Sequence, residues 1–295
     1  MSNPATPLRG GRGQAAISSD VAAFGTYALP PAMEKLRRFS QRLGRGFVAR
    51  RACSVIRRVV SAGRSGPFDV EAFPGQRARL YPAENLSDKR VFAGVQFWDW
   101  VERAALGRAV HAADEPVYFV DAGANAGLYT LAVRAEANAK PLRVIAVEPD
   151  PENLERLAFN LAASGAGDDV TVVSSALSDR VGETHISSDH ANRGELSIGS
   201  SGTKVAMQPL LDIVIEAGFP RIDALKIDIE GMELPVLSHF IDNAPNALWP
   251  SVMILEAQRD EITPALSYIQ EAGYEITERT RMNVVARHQA RAQKG

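Results

Sequence analysis

The chain has 295 residues, 45% hydrophobic and 23% charged, enough for one large domain with a full core and an appendage. Its formal net charge of −2 hides an asymmetry: the first 66 residues carry 12 Lys/Arg against only Asp20 and Glu34, and the rest is acidic. No apolar run approaches the ~20 residues of a membrane span. The single cysteine, Cys53, excludes an intramolecular disulfide and cannot alone form a zinc site, so a reducing, cytoplasmic setting is expected.

Residues 1–30 are Pro, Gly, Ser and Ala with scattered arginine, which predicts a disordered tail whose removal leaves folding intact. From Met33 to Val60 a basic helical pattern follows, with Leu36, Phe39, Leu43, Phe47, Val48, Val55, Ile56 and Val59 between arginines, broken at Gly44 and Gly46. Such a segment suits an anionic membrane surface or organelle targeting, or a lid or dimerisation helix packed on the remainder. The packed reading is preferred. Few aromatics accompany the basic residues, so no nucleic-acid partner is expected. The chain therefore divides into a basic extension, 1–66, and a larger domain, 67–295.

Past Phe68 the composition changes. Asp69 to Arg79 alternates around Pro74-Gly75, a hairpin pattern. Val91 to Leu106 holds Phe97, Trp98, Trp100 and Val101 at near-helical spacing, an aromatic cluster expected mainly in the core, with a contact to an acceptor or a base as the alternative, and Glu102 beside it.

The chain is organised around Val117 to Asp150. The apolar run Val117–Val120 stops at Asp121 and passes into Ala122-Gly123-Ala124-Asn125-Ala126-Gly127. A helical pattern follows, and a second apolar run, Val144–Val147, ends at Glu148. Strand, glycine loop, helix, strand and acid make the first βαβ unit of a nucleotide-binding α/β fold. Gly123 and Gly127 are expected to take backbone angles closed to other residues and to let a ligand approach the main chain. Glu148 stands where a carboxylate accepts hydrogen bonds from ribose hydroxyls. A dinucleotide fingerprint is missing, because Asn125 replaces its second glycine.

The spacing Asp-x-Gly-x-Asn-x-Gly from Asp121 to Gly127 instead resembles the first motif of class I S-adenosylmethionine-dependent methyltransferases, the FkbM family in particular. The run Glu148-Pro149-x-Pro151-x-Asn153 through Leu157 and Asn160 resembles the same family. Val170–Val173 is the expected third strand, with Ser175-Ala176-Leu177-Ser178-Asp179 after its carboxyl end; in the family this segment passes the adenine. Thr184 to Ser201, with His185, His190, Asn192, Arg193 and Gly194, reads as a polar insertion loop over the mouth of the site.

A helix ending at Gly218 leads to the strand Ala224–Ile229, after which Glu230-Gly231-Met232-Glu233 opens another helix. The pattern Lys226-x-Asp228-x-Glu230-Gly231-x-Glu233 is the feature that most resembles FkbM methyltransferases. Lys226 and Asp228 are costly to bury without a use or a partner, and an ion pair merely tying strand to helix is the alternative. The strand Val252–Leu255 ends in Glu256. A helix over Thr263–Ala272 and strands at Tyr274–Thr277 and Met282–Ala286 complete the chain.

The resemblance, over roughly Phe68 to Arg287, implies a Rossmann-like α/β fold with a seven-stranded, mostly parallel sheet in the order 3-2-1-4-5-7-6, the last strand antiparallel. It implies methyl transfer from S-adenosyl-L-methionine to a hydroxyl of a sugar or other small metabolite, hence a small-molecule or glycan acceptor. Asp121, Gly123, Asn125, Gly127, Glu148, Ser175 and Ala176 would bind the cofactor. Asp228 is the first choice for a general base or a divalent-metal ligand, Lys226 would steady the acceptor oxygen, and Glu230, Glu233 and Glu256 stand behind them. His185 and His190 are outside candidates, and Glu102 would be the acid that the family carries ahead of the glycine loop. Two alternatives remain at this point: an NAD-dependent oxidoreductase, and a non-catalytic S-adenosylmethionine-binding or membrane-associated protein. The amino-terminal helices would then supply a peripheral membrane or dimer contact.

Overall fold

In the computed structural model the described residues are 21–189, 192–199, 202–229, 231–257 and 262–289. Two amphipathic helices, α1 (Pro31–Gln41) and α2 (Phe47–Ser61), come first, separated at Gly44 and Gly46. The hairpin follows as β1 (Phe68–Phe73) and β2 (Gln76–Leu80), paired antiparallel about Pro74-Gly75. Helices α3 (Leu86–Phe92) and α4 (Trp100–Ala112) flank a short 3-10 turn at Val95–Phe97.

The βαβ unit is β3 (Val117–Ala122), α5 (Leu128–Ala137) and β4 (Leu142–Val147), continued by α6 (Pro151–Ala163) and β5 (Val170–Val173). Asp150 starts α6 by accepting the N–H groups of Glu152 and Asn153, with Pro151 in the first turn where no N–H is needed. Then come β6 (Ala176–Ser178), β7 (Gly182–Asp189), β8 (Asn192–Gly199), β9 (Thr203–Pro209) and α7 (Leu210–Glu216). The remainder is β10 (Ala224–Ile227), α8 (Glu233–Asn243), β11 (Val252–Glu256), α9 (Pro264–Glu271), β12 (Tyr274–Arg279) and β13 (Asn283–His288).

Among the described residues the main sheet has seven strands in the order β12-β13-β11-β10-β3-β4-β5. The last strand, β13, runs antiparallel to both of its neighbours, and the strands from β11 to β5 pair in parallel. This is the expected order and direction. Alternate side chains face opposite layers: Phe119, Val144, Ala146 and Ile254 pack with α4, α5 and α6, while Val120, Ile145, Leu225 and Leu255 pack with α7, α8 and α9.

Two expectations are corrected. Residues 184–201 were expected to form a loop, but β7 and β8 form an antiparallel pair within a four-stranded sheet ordered β6-β9-β7-β8. Backbone pairing with β9 supplies the order that the polar sequence did not signal. The tail assigned to residues 1–30 is packed over 21–30. Leu29 is buried in the main core, the Gly25 and Tyr27 N–H groups donate to Asp69, and Arg79 donates to the Ala23 carbonyl. Residues 1–20 lie outside the described residues.

The helices after it join the same core. Val60 is fully buried, Met33, Leu36 and Ile56 pack against the core, and Arg37 is buried while donating to the carbonyls of Phe92 and Glu71. The packing shows no break at residue 66. Phe47, Val48, Val55 and Val59 face outward. No helix among the described residues is long and apolar enough to cross a membrane.

Candidate active site

The glycine loop turns at the carboxyl end of β3. Gly123, Asn125 and Gly127 all have positive φ, at 77°, 49° and 83°. Glycine takes such angles freely and asparagine is one of the few other residues that tolerates them. Asn125 closes the turn with its side chain, whose Oδ1 accepts the Ala126 N–H at 2.7 Å and the Asn85 amide at 3.1 Å. Asn160 holds the same loop from α6, donating to the Ala126 carbonyl at 2.9 Å while accepting the Arg79 N–H at 2.7 Å.

The glycines are required chiefly by the protein's own packing. A Cβ on Gly123 would stand 1.9 Å from the Asp228 carbonyl oxygen, and one on Gly127 2.5 Å from Leu157 Cδ1. The expected backbone angles are present, and packing inside the fold adds a steric reason of its own for glycine at both positions.

At the end of β4, Glu148 is buried. Its Oε2 accepts the Asn125 N–H at 2.8 Å and its Oε1 accepts the Asp150 N–H at 2.9 Å. Burial pushes the Glu148 carboxyl up to about 7 despite these bonds. Asp121, fully buried at the end of β3, accepts the N–H and hydroxyl of Thr130 through Oδ2, and its Oδ1 has no partner among the described residues. Burial raises its pKa, with Lys226 opposing.

Lys226 is buried on β10. Its ammonium donates to the Gly123 carbonyl at 3.0 Å, pairs with Asp228 Oδ2 at 3.1 Å and lies 5.5 Å from the centre of the Tyr129 ring. Burial by itself would lower its pKa, but the Asp228 and Asp121 carboxylates outweigh burial and hold it above its ordinary value. The lysine thus fastens the glycine loop to β10 and remains charged. Asp228, just past the strand, is partly exposed.

These groups line one cavity, together with Ser175, Ala176, Leu177, Pro149, Ile186 and Glu256. Ser175 is fixed by the Gln208 amide at 2.9 Å. Of the expected site residues, Gly123, Asn125, Glu148, Ser175, Ala176, Lys226 and Asp228 meet at this cavity, and Gly127 and Asp121 support it from behind. Glu230 and His190 lie outside the described residues. Glu233 is turned to a structural task, accepting the Ile229 N–H at 2.9 Å. His185 is not at the cavity; its neighbour on β7, Ile186, lines the wall instead. Glu102 is buried away from it, accepting from Thr280 at 2.7 Å and Asn283 at 2.9 Å.

The acid at the cavity ahead of the glycine loop is Asp99. It sits in the left-handed region at φ 38° and accepts the Tyr129 hydroxyl at 2.9 Å. Burial raises the Asp99 pKa, with Glu102 adding to it, and burial together with Asp99 holds the Tyr129 phenol well above its ordinary value. Asp99 and Tyr129 escaped the sequence reading, whereas Trp98, named there in the aromatic cluster, lines the cavity. The one available signal was the polar residue between Trp98 and Trp100.

The chemistry of the donors fits S-adenosylmethionine. A buried acid ends the second strand, main chain curves around the loop of the first, and an apolar wall of Pro149, Ala176 and Leu177 suits a flat base. Carboxylates at Asp228 and Glu256 suit a cationic ligand. Among the described residues no group of three or more His, Cys, Asp or Glu could hold a metal ion.

A seven-stranded sheet in this order with this loop and acid defines a class I methyltransferase. Residues 121–276, more than half of the chain, match the Methyltransferase FkbM domain, and the chain belongs to that family. It is 26% identical over 195 residues to the methyltransferase sdnD of Sordaria araneosa, covering 54% of this chain and 74% of that protein.

Two methyltransferases are among the similar solved structures. One is a precorrin-6y C5,15-methyltransferase from Geobacter metallireducens GS-15, 15% identical with a TM-score of 0.41, covering 63% of this chain and 86% of that one. The other is the methyltransferase FkbM from Methylobacillus flagellatus KT, 17% identical with a TM-score of 0.39, covering 69% and 55%. Family membership sets aside the oxidoreductase alternative.

Proposed function

We propose that this methyltransferase transfers the methyl group of S-adenosylmethionine to a hydroxyl oxygen of a sugar or other small metabolite. The observation that carries the reading is the placement of Asp228. It stands beyond the carboxyl end of β10, lines the cavity and is held by Lys226 at 3.1 Å directly behind the glycine loop. Ligands of open α/β sheets bind beyond those strand ends.

When bound, the cofactor supplies a methyl group already activated by its sulfonium. Glu148 would receive the ribose hydroxyls, residues 123–127 would hold the methionine end, and Ser175 and Ala176 the base. Asp228 accepts the proton of the acceptor hydroxyl, because an aliphatic alcohol is a poor nucleophile at neutral pH. Lys226 keeps the Asp228 carboxylate and the loop in one geometry, so that positioning supplies much of the rate.

The test is incubation of the full chain with methyl-labelled S-adenosylmethionine and a panel of glycosides and small alcohols, followed by mass spectrometry. Methyl ethers formed by the wild type and not by Asp228→Asn support the reading. Label found only on nitrogen or carbon overturns it.

A further inference from the structure

A second groove adjoins the candidate active site and shares Asp99 and Asn283 with it. Its outer walls come from separate parts of the chain: Arg50 and Arg57 from α2, Lys89 and Arg90 from α3, and Arg281 from the turn between β12 and β13. Among the described residues none of these five cations has a carboxylate partner.

What sets these five apart is that they line one groove, since Arg42, Arg51 and Arg58 likewise lack a carboxylate partner among the described residues, while other arginines are paired. Arg79 is paired with Asp69, Arg134 with Asp169, Arg156 with Glu84 and Glu152, and Arg221 with Asp223. Several like charges gathered about one concavity repel one another, and an anion seated among them relieves that repulsion. The inner end differs. There Asp99 is held by Tyr129, and Glu102 is engaged by Thr280 and Asn283. An anionic group would be repelled from that end, and a hydroxyl would find acceptors there.

We infer that the acceptor carries a phosphate-class group, which this basic groove seats while its hydroxyl end reaches past Asp99 into the cavity. This deepens the proposed methyl transfer and rests on it for the identity of the second end. Arg57 is the least exposed of the five cations, and Arg90 lies near enough to Asp99 to act on its charge. Guanidinium groups suit phosphate because their donors form a planar fork. The ligand chemistry is the same whether the phosphate is a monoester on a sugar or the diphosphate of a nucleoside diphosphate sugar.

The experiment compares the full chain with the triple variant Arg57→Gln, Arg90→Gln, Arg281→Gln, none of which lies at the cofactor cavity. S-Adenosylhomocysteine titration first establishes that the variant keeps its cofactor affinity and is folded. Inorganic pyrophosphate and glycerol 3-phosphate are then titrated calorimetrically at low and high salt. The expected result is binding of at least one probe to the wild type, weakened at least tenfold in the variant and by salt. Preference for pyrophosphate indicates a nucleoside diphosphate, and preference for glycerol 3-phosphate a monoester. No binding, or binding that the variant retains, overturns the inference.

Sedimentation with phosphatidylglycerol vesicles is the third arm. Vesicle binding lost in the variant, with neither free phosphate bound, assigns the cations to a membrane-facing surface and also overturns it. A labelling assay on matched free and phosphorylated sugars separates this inference from the function it rests on. Equal methylation of both leaves the methyltransferase reading standing and sinks the anion site. Phosphate binding that needs the arginines, without methylation of any hydroxyl, upholds the anion site and sinks hydroxyl transfer.

Discussion

The main-chain carbonyl of Asp228 occupies the space that a side chain on Gly123 would need, 1.9 Å from the position of a Cβ. The residue expected to do the chemistry and the residue that shapes the cofactor turn are thereby in direct backbone contact, across parallel neighbours β3 and β10. A shift of either one moves the other.

Gly123→Ala is therefore expected to lose activity more severely than Gly127→Ala. At Gly123 the obstacle is backbone, whereas at Gly127 it is a terminal methyl of the Leu157 side chain, which can give way more readily than main chain. Both substitutions also force alanine to positive φ, each at about 1–3 kcal/mol. Thermal unfolding and initial rates for the two variants check this; equal losses in both would refute the contact's importance.

Glu148 makes cofactor binding pH-dependent. Ribose hydroxyls donate to the carboxylate, so they favour its ionised form, and affinity for S-adenosylhomocysteine should rise between about pH 6 and 8 with proton release near and below 7. The stability of the free protein should move the other way. The folded state keeps this proton up to about 7, while the ordinary carboxyl releases it near 4.5. The unfolded state therefore binds fewer protons between those values. Stability from this group is complete below 4.5 and is lost as the pH rises through about 7, by on the order of 3 kcal/mol. Calorimetry in buffers of different ionisation enthalpy measures the proton, and Glu148→Gln should flatten both dependences.

Asp228 and Lys226 should separate chemistry from architecture. Asp228→Asn keeps the shape of the side chain, so S-adenosylhomocysteine affinity should persist while turnover falls by about 10²–10⁴, the range of general-base effects. Lys226→Met removes the bond to the Gly123 carbonyl and leaves the Asp121 carboxyl without its cation, so it should lower stability by about 3–5 kcal/mol. Urea unfolding and single-turnover rates distinguish them. Chelator treatment that abolishes turnover, reversed by Mg²⁺ or Mn²⁺, would assign Asp228 to a metal instead of a proton.

Removing residues 1–30 should destabilise the protein, contrary to what its composition suggests. Burial of Leu29 is lost, and Asp69 loses the N–H groups of Gly25 and Tyr27 while remaining buried with Arg79. The expected cost is about 2–4 kcal/mol, from one apolar side chain and two hydrogen bonds to a charged group. A melting temperature unchanged by the deletion would show that these contacts contribute nothing.

The sequence alone determined what depends on short-range pattern. Alternation and apolar runs marked the strands of the main sheet, the motif around Asp121 and Gly127 placed the glycine turn, and Lys226-x-Asp228 marked the strand end that carries the ion pair. These are legible because burial on a strand and the angles of a turn are set by residues a few positions apart. Only the tertiary structure decided which acid ahead of the loop reaches the cavity. Asp99 and Glu102 are three positions apart, yet packing of α4 turns Asp99 to Tyr129 at the cavity and Glu102 to Thr280 and Asn283. The order of residues 21–30 and the gathering of α2, α3 and the β12–β13 turn around one groove were equally unreadable. Such contacts join segments tens to hundreds of residues apart, and their geometry comes from how whole elements pack, which no local period records.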